Sequence, residues 1–111
     1  MHIPAITNSY RPNFGKVYIE NKPANPQQTQ LMGDIKDALE KPYYSDGSSV
    51  SQKFEDQRLD LVLSPENDGS QVAIYGTSTV VGSACYDRTK ILKCSVNQKF
   101  DIKDIENYPE Q

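Results

Sequence analysis

The side chains with the most chemistry to offer in this 111-residue chain are two cysteines, Cys85 and Cys94, a single histidine, His2, and fifteen carboxylates. A zinc site needs four Cys, His, Asp or Glu ligands, usually in close pairs. Here the cysteines stand nine positions apart and the imidazole is at the start of the chain, so no metal site is expected. A cysteine nucleophile needs a base or an electropositive pocket; Arg88 follows Cys85 by three residues, but in no phosphate-binding loop. The pair reads better as packed thiols or as a Cys85 to Cys94 disulfide across a hairpin, a loop whose closure would stabilise by ~2–3 kcal/mol. Glu55, Asp56, Asp60 and Asp68 are the carboxylates near the apolar centre of the chain, yet catalytic carboxylates are recognised by geometry and shifted pKa. Gly76 to Thr79 is too short for a phosphate loop, and no Gly-x4-Gly-Lys-Ser/Thr occurs. No catalytic residue and no cofactor is called for, and the balance leans away from an enzyme.

What remains is the chemistry of contact. Seven Tyr and three Phe in a chain of net charge −3 supply rings whose apolar body and polar tip suit interfaces. Tyr43, Tyr44, Asp60, Tyr75 and Arg88 are the candidate partner-binding residues. The basic residues are scattered, the tightest group being Arg88, Lys90 and Lys93, and a nucleic-acid partner, which would need a basic stripe, is not expected. No window approaches the ~18 apolar residues of a membrane span, and the first residues lack the basic start and apolar run of a secretory signal. A soluble protein is expected, cytoplasmic or secreted without a recognisable signal peptide.

The elements that must position these residues follow from periodicity. Residues 1–15 carry Ile3, Ile6, Tyr10 and Phe14 among Pro4 and Pro12; the prolines break any helix, and an extended arm is expected. Lys16 to Glu20 alternates as a strand. Asn25, Pro26 and Gln28 then form a helix start of N-cap, first-turn proline and a side chain able to return the cap hydrogen bond. Leu31, Met32, Ile35, Ala38 and Leu39 fall on one side of the helix, which Pro42 ends. Gly33 costs up to ~1 kcal/mol there unless close packing requires it. Residues 43–52 read as a polar loop, and 54–58 lead into the central region.

Residues 59–96 read as consecutive strands: Leu59 to Leu63, Gln71 to Tyr75, Thr79 to Tyr86 and Ile91 to Val96. Turn chemistry at 64–70 predicts a hairpin between the first two, a break is expected near 76–78, and a second hairpin is expected at 86–91. Ile102 and Ile105 suit a last helical turn. The predicted fold class is α+β, a single helix on a mostly antiparallel sheet of four to five strands in the order β-α-β-β-β-β, with a short C-terminal helix. The predicted domain spans 16–108.

Three functions fit these expectations. The first is a small acidic protein-protein interaction module, an inhibitor or immunity-like partner of a basic protein. The second is a secreted or injected bacterial effector with a polar N-terminal export arm, and the third a small carboxylate-dependent hydrolase or transferase. The leucine face of the sheet should meet the helix. Asp60, Tyr75 and Arg88 should be left on the other face, where a partner would bind.

Overall fold

Asn25 does what its position predicts: in extended backbone, its Oδ1 accepts the Gln28 N–H at 2.8 Å, and Pro26 opens helix α1, Pro26–Glu40. The computed structural model that shows this describes residues 15–81, 84–86 and 88–106, and of 79–81 and 84–86 the backbone only. The predicted arm therefore lies, except for Gly15, outside the described residues.

The fold is α+β, with one open, mixed four-stranded sheet in the order β1-β2-β3-β6. Its strands are β1, Val17–Ile19; β2, Asp60–Glu66; β3, Gln71–Thr77; and β6, Thr89–Ser95. The strands β4, Thr79–Val81, and β5, Ala84–Tyr86, pair with each other in a separate two-stranded ribbon. The hairpin joining β2 and β3 forms as expected, Leu63 opposite Ile74 and Glu66 opposite Gln71. Asn67, Asp68 and Gly69 turn it with positive φ.

Gly69 is fixed by a close approach. A Cβ there would lie 2.1 Å from Asn25 Nδ2, the atom that donates to the Gly69 carbonyl at 3.2 Å. The start of α1 and the turn between β2 and β3 are thereby tied together.

Four expectations need correction. A second helix, α2, Val50–Asp56, replaces the end of the predicted loop and part of the lead-in after it, so the helical layer is not a single helix. Ser49 and Gln52 form a full capping box, and Val50 and Phe54 are fully buried on the side facing the core; this burial holds a helix of only seven residues. β1 runs parallel to β2, because the intervening helices return the chain to the same end of the sheet. The 79–86 segment is two short strands rather than one. The hairpin expected at 86–91 does not form a ladder among the described residues: β6 pairs with β3, and β5 with β4.

A bulge in β6 leaves Ile91 as an extra residue between the pairs Ile74 with Leu92 and Tyr75 with Lys90. It turns both Ile91 and Leu92 toward the apolar core, and Gly76 makes room, since a Cβ there would meet Ile91 Cδ1 at 3.2 Å and Leu59 Cδ1 at 3.3 Å.

The core lies between the helices and one sheet face. Leu31, Met32, Ile35 and Leu39 of α1 join Leu61, Leu63, Val72, Ile74 and Cys94 of the sheet, with Ile105 from the short helix α3, Lys103–Glu106. The leucine face meets α1 as its alternation predicts. Ala38, the fifth residue of the predicted stripe, is only half-buried.

Candidate functional site

The flank of α1 away from β1 is left open. Pro26, Gln27, Gln30, Leu31 and Asp34 face Val96, Gln98, Lys99 and Phe100 across a hollow of about 380 Å³. A second hollow of about 520 Å³ follows, walled by Asp34, Ala38, Lys41, Tyr43, Lys99, Phe100, Asp101 and Ile102. Asp34, Lys99 and Phe100 border both, so the two form one groove along α1 from its first turn to its last.

Each wall has a simple origin. α1 presents Leu31 and Ala38 at a spacing of seven, two turns of one stripe. The segment after β6 leaves the sheet by a turn in which Gln98 N–H bonds the Ser95 carbonyl at 3.1 Å, and it then places Phe100 and Ile102 half-buried against the core. Their exposed remainder is the apolar wall. Asp34 and Asp101 stand against Lys41 and Lys99, all exposed, so the groove itself is balanced in charge. The exposed ridge of α1 beside it is acidic, with Asp34, Asp37 and Glu40; Lys36 binds Glu40 at 2.7 Å.

Tyr43 is the candidate residue that lines this groove. Its ring meets that of Tyr44 edge to face, centroids 5.0 Å apart, and its hydroxyl donates to Glu106 Oε1 at 3.0 Å, which raises the phenol pKa. The Lys53 ammonium donates to the Glu106 carbonyl, so Glu106 anchors α3 to this end of the molecule. Tyr44 is half-buried beside it and does not line the groove.

The remaining candidates lie on the other sheet face, and that face is not the free surface expected. Asp60 is 6% exposed, and Val62, Ala73 and Thr77 are fully buried around it. The Asp60 carboxylate accepts the Lys16 N–H at 3.0 Å; burial raises its pKa and that hydrogen bond opposes the rise. Alternation sends Asp60 away from the leucine face, but it does not reveal that the chain covers this side too. Tyr75 and Arg88 are together: the guanidinium lies 5.3 Å from the ring centroid, pairs with Glu20, and by that hydrogen bond lowers the Glu20 pKa. The Tyr75 hydroxyl donates to Glu66 Oε2 at 2.6 Å. These groups satisfy one another.

Cys94 is a free, buried thiol, and burial pushes it up to about 11, so at neutral pH it is protonated and a poor nucleophile. The Cys85 side chain lies outside the described residues. Among the described residues no group of three or more His, Cys, Asp or Glu is placed to hold a metal ion. Among the described residues no helix is long and apolar enough to cross a membrane. Of Glu55, Asp56, Asp60 and Asp68, Asp68 borders a hollow, beside Glu66 in the turn between β2 and β3.

Sequence reasoning missed Leu31, Asp34, Lys99 and Phe100 as groove residues. The available signal was Phe100 and Ile102, two apolar residues at alternate positions in an otherwise polar stretch. Compared with protein-family models, curated proteins and solved structures, the chain matches none.

Proposed function

We propose that the chain is a small protein-binding module that receives an apolar segment of a more basic protein in the groove along α1, as an inhibitor or immunity-like partner would. The observation that carries this reading is the groove itself, bordered by Leu31, Ala38, Val96, Phe100 and Ile102 and filled by none of the described residues. A helix of fifteen residues rises ~22 Å, so the groove matches three to four turns of a partner helix, read as apolar anchors at helical spacing. The acidic ridge of Asp34, Asp37 and Glu40 would meet basic residues flanking those anchors, and the net charge of −3 would steer their approach.

The test replaces exposed Gln98 with a photo-crosslinking residue, and exposed Thr89, at the opposite end of β6, as control. The captured protein is then purified and its affinity measured directly. The reading expects capture from position 98 only, an affinity that falls as salt rises, and a loss of roughly 30-fold or more with Phe100→Ala, as for a central aromatic anchor. Capture from position 89 alone, or an affinity indifferent to Phe100→Ala, would refute it.

A further inference from the structure

We propose that this chain pairs with a second copy of itself along the outer edge of β1, through residues 16–20. β1 is an edge strand, and among the described residues no strand lies on its outer side. Its parallel ladder with β2 sets Tyr18 opposite Val62. The Leu61 N–H bonds the Lys16 carbonyl at 2.8 Å, and the Glu20 N–H bonds the Leu63 carbonyl at 2.9 Å. In a parallel pair alternate residues direct both backbone groups to the neighbour. Residues 16, 18 and 20 therefore face β2, and Val17 and Ile19 turn their N–H and C=O outward. Gly15 and Asn21, with φ of 85° and 67°, bound this edge.

The stretch between them is complementary to itself. About a two-fold axis through Tyr18, antiparallel pairing sets Val17 opposite Ile19 of the second copy, so the outward residues meet and each pair exchanges two backbone hydrogen bonds. The same register sets Lys16 opposite Glu20 of the second copy, where cross-strand opposite charges attract; Glu20, one-third exposed and paired with Arg88, would then stand between two cations. A shift of one residue opposes outward groups to inward ones, and a shift of two separates Lys16 from Glu20. Ile19, 50% exposed and the sole exposed large hydrophobic among the described residues, would come to lie beside Val17 of the second copy. The other sheet edge lacks this fit: β6 carries exposed Lys90 and Lys93 and no acid, the charge pattern that guards an edge against pairing. An isologous β1 contact closes as a dimer and does not propagate.

A five-residue edge buries far less than the ~1,200 Å² of a stable interface, so the dimer is weak and reversible. Sedimentation equilibrium of the full chain should show a mass of 12.5 kDa at low concentration, rising toward twice that value as the concentration approaches about 1 mM. Lys16→Glu and Glu20→Lys should each abolish the rise alone and restore it when mixed in equal amounts, because only the mixed pair opposes unlike charges at both ends. Ile19→Pro, which removes an outward N–H that β2 does not use, should abolish it with the far-ultraviolet circular dichroism unchanged. A wild-type chain that stays at 12.5 kDa throughout overturns the proposal. So does a mass increase that survives Ile19→Pro, or single charge variants that are not rescued by mixing.

Discussion

The two flanks of α1 are built from the same helix and finished differently. At its start, the Gln28 side chain is fully buried; its Oε1 accepts the Ala24 N–H at 2.7 Å, and its Nε2 donates to the carbonyls of Gln71 at 2.7 Å and Glu66 at 3.3 Å. Helix and hairpin are joined there by groups that answer one another. Along the groove, Leu31, Ala38, Phe100 and Ile102 border hollows that none of the described residues fills. The clasp at Gln28 is completed by the chain itself, and under the proposed function the open groove is where a partner would contribute.

The sharpest way to break this contrast is at the closed end. Gln28→Ala leaves one N–H and two carbonyls without their partner, and should cost about 2–3 kcal/mol in denaturant unfolding. A change below about 0.5 kcal/mol would mean that the clasp is not structural. Phe100→Ala should do the opposite in kind: its half-buried ring should cost only about 1 kcal/mol of stability, while partner affinity falls. A larger loss of stability than for Gln28→Ala would move Phe100 from site to scaffold.

Gly33 sharpens the comparison on the helix itself. It is exposed, and a Cβ there would touch nothing within 4 Å, so close packing does not require it. Gly33→Ala should raise stability by about 0.5–1 kcal/mol and leave partner affinity unchanged.

The smallest effects are in pH. Asp60 has its pKa raised above the usual 3.8, so its contribution is present at lower pH and is lost as pH rises through the raised value. Glu20 has its pKa lowered below 4.5, so its contribution is present above that value and is lost as pH falls through the lowered one. Between about pH 3 and 6, stability should climb more steeply in Asp60→Asn and less steeply in Glu20→Gln than in the wild type, as measured by thermal unfolding.

Local signals carried much of the fold. The N-cap and proline at 25 and 26, the α1 stripe and the turn at 67–69 were legible because each is written in neighbouring residues. The Ser49 and Gln52 capping box was as local, but the serine-rich stretch around it reads as loop. What was not legible depends on distant pairing: the parallel β1, the docking of β6 on β3, and the covering of Asp60. Tyr43, singled out by its type, lines the groove. Phe100 and Leu31 were not singled out, because a groove is a relation between two segments about sixty-five residues apart and neither segment alone looks unusual.

The most direct test of the central claim is an amide NMR titration of the ¹⁵N-labelled chain with synthetic amphipathic helical peptides carrying Leu at positions i, i+3 and i+7 and flanking lysines. The account predicts saturable shifts concentrated at Asp34, Ala38, Lys99, Phe100 and Ile102, abolished by Phe100→Ala. Shifts that do not saturate, or that cluster around Tyr75 and Arg88 and leave the groove unmoved, would contradict it.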